Sequence, residues 1–391
     1  MSLNLDKSGW KRVALGDVIK HVTDRVDAET SGLERFLAGE HIPSNSLHIT
    51  KWGVIGRDPI GPMFYKRFRP GHVLYVSRRS YLRKTAVPEF EGITGEKTFV
   101  LETRDPDILL QEFMPFLLSA EAFHSYAVAN SRGSVNPYVN WTDLASFQFD
   151  LPPIDEQKRL AELFWAIERH RRNVPIGKLS LLEVRMLEQL LDADVGGPAR
   201  IDSLGTVLMG RQRSPKHAHG DHMIPYLRVA NIGDDELRLS DVKRMNFSPD
   251  EQENFSVLPN DILISEGQSR ELVGQSALVT SLPEPMCFQN TLIRFRPNLN
   301  IVRPAYAQAL FRACLYSGKF ADLATQTTSI AHLGVARFAM FEVRVPDIPM
   351  QDHFLSRLGE VRAAIRSAKA ELASLSGLSD SLAGRVFGGV E

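Results

Sequence analysis

The sequence predicts a mixed α/β (α+β) chain made of two tandem copies of one module, each a globular unit followed by a long helix. Three observations predict it: a repeat at a nearly constant offset, short β-branched and aromatic runs in both halves, and two apolar stripes at helical spacing. Leu15-Gly16 corresponds to Leu204-Gly205, and Pro70-Gly71-His72-Val73-Leu74 to Pro259-Asn260-Asp261-Ile262-Leu263, both 189 positions later. Thr98 pairs with Thr291 at an offset of 193, inside strand-like runs at 96–101 and 289–294. Phe147, Leu151, Pro152, Ile154 and Gln157 pair with Phe341, Val345, Pro346, Ile348 and Gln351 at 194. Such a drift is a handful of residues inserted in loops. The expected division is a first globular domain over 1–153, a central helical region over 154–195, a second globular domain over 196–347 and a C-terminal helix over 348–391.

Within each copy the runs at 73–77, 147–151 and 261–265 read as strands, because β-branched and aromatic side chains suit a pleated, half-buried surface. Gly and Pro between them mark the turns. In Leu151-Pro152-Pro153-Ile154-Asp155-Glu156-Gln157 the prolines stop the strand, Asp155 is placed to cap a helix, and Glu156 favours its positive end. The C-terminal helix carries Phe354, Leu358, Val361, Ile365, Ala368, Leu372 and Leu375 at alternating spacings of four and three, a heptad seam that Leu382 and Val386 continue beyond Ser379. The central helix starts likewise with Leu160, Phe164 and Ile167. Pro175 and Gly177 interrupt it before Leu179, Leu182, Met186 and Leu190 resume the stripe, so a kink or break is expected near Pro175. Polar faces with Arg169, Arg171 and Arg172, and with Arg357, Glu360 and Arg362, suit two helices paired in water, and an antiparallel coiled coil is expected.

Composition narrows the function. With 43% hydrophobic and 24% charged residues over 391 positions the chain is globular rather than disordered, and no apolar run reaches the ~18 residues of a membrane span. The start, MSLNLDKSGWKRV, lacks the apolar region of a signal peptide, so a cytoplasmic location and no membrane partner are expected. Cys287 and Cys314 are too few for a disulfide framework or a four-thiolate zinc site and read as small core residues. A net charge of −1 gives no global attraction to a polyanion, so any nucleic-acid surface must be a local patch.

Catalytic motifs fail one by one. Asn136-Pro137-Tyr138 resembles a fragment of the Asn-Pro-Pro-Tyr loop of amino-methyltransferases, but the second proline and a glycine-rich turn for the methyl donor are missing. Gly92-Ile93-Thr94-Gly95-Glu96-Lys97-Thr98 puts an acid where a phosphate loop needs glycine. Asp107 with Glu156 and Lys158 fits a loose metal-nuclease pattern, yet the second copy has Met350-Gln351-Asp352 at the latter place, so the position works as a helix start without the pair. His217, His219 and His222 form a turn-rich, solvated cluster rather than a helical metal pair. Neither a catalytic residue nor a metal or cofactor is expected.

Residues 151–161, Leu-Pro-Pro-Ile-Asp-Glu-Gln-Lys-Arg-Leu-Ala, closely resemble the helix-start motif of the specificity subunits of type I restriction-modification enzymes. Val345-Pro346 through Gln351 match it more loosely, and the openings at 10–18 and 201–207 fit as well. The likeness covers nearly the whole chain. Departures are Pro175 and Gly177 inside a helix that is usually smooth, and Pro346-Asp347 in place of paired prolines. The resemblance implies a noncatalytic subunit whose two target-recognition domains each read half of a split double-stranded DNA sequence. It also implies helices that set the spacing and dock two methyltransferase subunits, with restriction subunits joining the complex. A free-standing methyltransferase or nuclease, or a two-domain protein-binding scaffold, is the alternative.

Local patches agree with a DNA partner. Arg78, Arg79, Tyr81 and Lys84 lie in a polar loop after the strand at 73–76, and Gln268 and Arg270 lie at the equivalent place in the second copy. Arginine and glutamine there can make paired hydrogen bonds to guanine or adenine edges. A second pair of loops precedes the last strand of each unit and carries Arg132 and Ser134 in one copy, Thr328 and His332 in the other. Arg211 and Arg213 form a further basic cluster.

Overall fold

The computed structural model describes residues 5–192, 195–326 and 329–388. The chain divides into two compact units, Met1–Val174 with Ala370–Glu391, and Pro175–Lys369. Each has its own apolar core, and each takes one part of the central helix and one part of the C-terminal helix.

Both units carry the same topology. In the first, Lys11–Ala14 pairs antiparallel with Gln148–Leu151. One four-stranded sheet runs in the order Ile19–Val22, Thr98–Thr103, Val73–Val76, Thr85–Ala86. A second runs Gly53–Val54, Arg35–Leu37, Gly92–Gly95, Phe64–Phe68, with one parallel pair between Arg35–Leu37 and Gly92–Gly95. In the second unit Gly197–Arg200 pairs with Glu342–Val345. Its two sheets run Gly205–Met209, Leu292–Pro297, Ile262–Ser265, Ser276–Leu278, and Lys243–Asn246, Met223–Leu227, Met286–Phe288, Ser256–Val257. Again one pair is parallel. The repeat read from scattered residues is therefore a repeat of sheet order. Its central strands reflect their composition: Val-Leu-Tyr-Val at 73–76 and Ile-Leu-Ile-Ser at 262–265 are buried at every position.

The helices follow the expected plan with two corrections. Ile154–Asn173 starts directly after the prolines, but its N-cap is Pro153 with no side-chain cap, so Asp155 does not cap it. Asp155 and Glu156 stand instead in the first turn, where their charge faces the positive end of the helix. The helix breaks at Val174-Pro175 and restarts as Ile176–Glu188, because proline lacks the amide proton and crowds the preceding turn. After the restart the expected stripe is out of phase at one position. Leu182 is exposed, while Met186, Leu187 and Leu190 are buried.

The C-terminal helix is continuous from Ile348 to Phe387, and Leu358, Ile365, Ala368, Leu382 and Val386 of its seam are buried. In the first unit Phe164 stacks near Phe387 with ring centres 6.2 Å apart, while His170 Nε2 meets Glu371 Oε1 at 2.6 Å, so the two helices run antiparallel. Within the second unit Arg362 donates to Glu183 at 2.8 Å. No described helix is long and apolar enough to cross a membrane.

The helix-start motif owes its glutamine to a buried lock. Gln157 is fully buried; its amide donates to the Ile108 and Pro152 carbonyls at 2.9 and 2.8 Å and its oxygen accepts from Leu110 N at 2.8 Å. Gln351, also fully buried, repeats this with the Ile301 and Pro346 carbonyls at 3.0 and 2.8 Å and Arg303 N at 2.7 Å. A side chain with donor and acceptor on one planar group ties strand end, helix start and a neighbouring loop together, and burial makes each bond costly to lose.

Candidate nucleic-acid interface

In each unit two loops distant in sequence meet. The first unit joins residues 77–84 to 131–139. Arg78 and Arg132 both bridge to Tyr138, Arg79 N donates to Pro137 O at 2.6 Å, and Val139 N donates to Ser77 O at 3.1 Å. Arg79 is in the left-handed region at φ 55°, and its Nε donates to Asn136 Oδ1 at 2.8 Å, which fixes the side chain across the junction. Arg83 is left-handed too, at φ 53°, so the loop turns sharply around the short helical turn Ser80–Leu82. A non-glycine residue there costs energy that surrounding contacts must offset, which is common at functional loops.

The second unit does the same with small strands. Gly267–Gln268, Ala331–His332 and Thr325–Gln326 form a three-stranded sheet, and Leu333 N donates to Glu266 O at 2.8 Å. Gly267 opposite His332 matches Arg78 opposite Tyr138 in topology, at offsets of 189 and 194. His332 Nδ1 lies 3.0 Å from Glu266 Oε2.

The expected site residues divide accordingly. Arg78, Arg79, Arg132 and Ser134 come together on the exposed face of the first junction. Among the described residues the Arg78 side chain has no hydrogen-bond or ion-pair partner, whereas Arg132 pairs with Asp143 at 3.0 Å. Tyr81 is 54% exposed on the helical turn. Gln268 and His332 meet in the second junction, and Arg270 beside them pairs with Asp322 at 3.0 Å. Arg213 is exposed on a separate loop. Thr328 lies outside the described residues.

Two residues are diverted inward. Arg211 is only 8% exposed: it pairs with Glu251 at 2.7 Å, meets His217 at 2.8 Å, donates to Asn246 O and lies over the Phe247 ring. Its guanidinium has become the organiser of a loop rather than a free phosphate contact, and it draws His217 out of the solvated histidine cluster. Lys84 donates to Gly39 O, and burial holds its pKa below the ordinary value. Both look in sequence like members of a basic run, and only the acceptors that fold against them reveal otherwise.

No described group of histidine, cysteine, aspartate and glutamate side chains could hold a metal ion. Glu156 pairs with Arg159, and Lys158 with Asp155, leaving the loose nuclease pattern as helix-surface ion pairs. Residues 92–98 run from one strand into the next with no helix after them, so they do not form a phosphate loop.

No family model and no curated protein sequence matches the chain. Solved structures do. A chain from a study of complex assembly and conformational transition of the type I restriction-modification system is 19% identical, with a TM-score of 0.63 over 97% of this chain and 98% of that one. The S subunit of a type I restriction-modification system from M. genitalium is 13% identical, with a TM-score of 0.60 over 100% of this chain and 99% of that one. At such identities the likeness is one of fold. The chain has the fold of a type I restriction-modification S subunit along nearly its whole length.

Proposed function

We propose that this chain is the noncatalytic DNA-reading subunit of a type I restriction-modification complex, with each globular unit reading one half of a split target. The observation that carries this is the loop junction repeated at the same topological place in both units, furnished with Arg78 and Arg79 in one and Gln268 and Arg270 in the other. Arginine and glutamine there suit paired hydrogen bonds to base edges, while cations such as Arg213 suit phosphates. The functional division is then recognition over 1–153 and 196–347, with the helical regions 154–195 and 348–391 setting the spacing between half-sites. Those helices also supply docking faces for two methyltransferase subunits, which restriction subunits join.

Selection of bound duplexes from a random pool tests the reading. It should return two short words separated by a gap of fixed length. A single continuous word, or no enrichment with the chain folded and its methyltransferase partners present, refutes it. Incubating the chain alone with methyl donor, magnesium, ATP and DNA separates it from a free-standing enzyme, since neither methylation nor cleavage is expected.

A further inference from the structure

The loop junction of the first unit shares Ser77 and Tyr138 with a cavity of about 250 Å³. At a share of ~30 Å³ per water the cavity has room for about eight waters, or for one planar base. Its walls are aromatic and its charge is positive. Arg25 lies over Tyr65 at 4.7 Å, Lys97 over Tyr138 at 4.6 Å, and Lys66 over Phe99 at 5.6 Å. Against these three cations stands one acid, Glu96, 3.5 Å from Lys97.

The cations are not equivalent. Lys66 is buried and donates to the Glu96 and Thr98 carbonyls at 2.7 and 3.0 Å, and burial lowers its pKa to about 8; it belongs to the floor. Arg25 is exposed, with no hydrogen-bond or ion-pair partner for its side chain among the described residues. Lys97, partly exposed and 3.5 Å from Glu96, is the other cation of the lining that reaches solvent. Directional groups are also free: the Asn140 amide and the Trp141 indole N–H have no partner among the described residues, and His21 Nε2 is shut from solvent without one. Burial and the nearby Lys66 lower the His21 pKa to about 4, so the ring stays neutral and does not add to the charge.

Aromatic faces, a side-by-side donor and acceptor on asparagine, and cations at the rim together match one chemical class. The rings suit a base, the amide suits its edge, and the cations suit its phosphate. We propose that this cavity is a single-nucleotide pocket, with the base against Tyr138 and Trp141, its edge read by Asn140 and its phosphate held by Arg25 and Lys97. The nucleotide has two possible sources: one extruded from a duplex held by the loops, which rests on the DNA-reading function above, or a free nucleotide. The pocket belongs to the first unit alone in its residues. The matching positions of the second unit carry Glu266 for Ser77, His332 for Tyr138, Gly334 for Asn140 and Val335 for Trp141.

The test uses the full chain in two arms. One titrates dAMP, dGMP, dCMP and dTMP by calorimetry. The other walks 2-aminopurine through the selected duplex and reads its fluorescence. Lys97→Ala and Asn140→Ala are the variants, chosen because both side chains are partly exposed and outside the apolar core, unlike Trp141. Extrusion predicts a several-fold brightening at one duplex position that both variants abolish; free-nucleotide binding predicts one saturable mononucleotide weakened at least tenfold by both. If the duplex binds but no position brightens and no mononucleotide binds, the pocket assignment is overturned and the DNA-reading function stands. Binding or brightening that ignores both variants also overturns it. Should no duplex bind even with the methyltransferase partners present, the DNA-reading function fails, and the mononucleotide arm alone decides the pocket.

Discussion

Replacing Gln157 by leucine removes three hydrogen bonds at 2.8 to 2.9 Å while keeping the volume of the side chain nearly constant. Each bond contributes ~1 kcal/mol net, and each backbone group left unpaired in a buried place costs ~1 to 3 kcal/mol. Two of the three sites are only partly buried, and the leucine itself recovers part of the loss through apolar burial. The expected cost is therefore ~2 to 4 kcal/mol, a large share of the ~5 to 15 kcal/mol by which domains are stable. Gln351→Leu should cost about as much, and because the two locks share no partner the double variant should show the sum. Urea unfolding followed by hydrogen exchange assigns each loss to a unit: Gln157→Leu should deprotect the 108–110 segment and Gln351→Leu the 301–303 segment. A loss under ~1 kcal/mol, or deprotection spread equally over both units by one substitution, refutes the idea that this glutamine is a local lock.

In the second unit Arg312, 8% exposed on its side chain, pairs with Glu183 and Asp234 at 2.8 and 2.9 Å, so Arg312→Leu should cost ~1 to 3 kcal/mol by removing those charge-assisted bonds, since Glu183 keeps Arg362 at 2.8 Å and Asp234 is partly exposed. Burial pushes the Glu183 and Asp234 pKa values up, but the arginine bonds outweigh it and hold both below the ordinary range. The stability they supply is present above about pH 4 and lost on further acidification, whereas Asp235, raised by burial, acts in the opposite sense. Thermal unfolding from pH 7 to 3 should show this acid loss in the wild type and a flatter profile in Arg312→Leu; identical profiles refute it. Arg78→Ala with Arg79→Ala, and separately Gln268→Ala with Arg270→Ala, should each weaken discrimination by ~1 to 3 kcal/mol at base positions of one half-site only, as read by duplex selection. A change in both half-sites contradicts modular reading. Inserting seven residues after Gly177 keeps the seam in phase and, at ~1.5 Å per residue against ~3.4 Å per base pair, should lengthen the preferred gap by about three base pairs. An unchanged gap in a folded, binding variant means that the spacing is set elsewhere.

The duplicated architecture, the strands at 73–76 and 262–265, the helix starting after Pro153, its break at Pro175 and the seam from Phe354 to Val386 are all written in the order of the residues. These depend on periodicity and on backbone chemistry that acts over a few residues, so they are legible without the fold. The residue order also singles out the loops that carry Arg78, Arg79, Arg132, Gln268 and His332. The folded chain is what makes those loops meet in pairs, lets residues 370–387 complete the core of the first unit, and turns Arg211 and Lys84 inward. It alone also brings Arg25, Lys97 and Asn140 around one cavity. A charged side chain looks the same in sequence whether it faces solvent or a carboxylate. Which it faces depends on contacts between residues tens to hundreds of positions apart, and Asp155, which stands in the helix's first turn without capping it, shows that even a neighbour's backbone geometry can redirect a side chain.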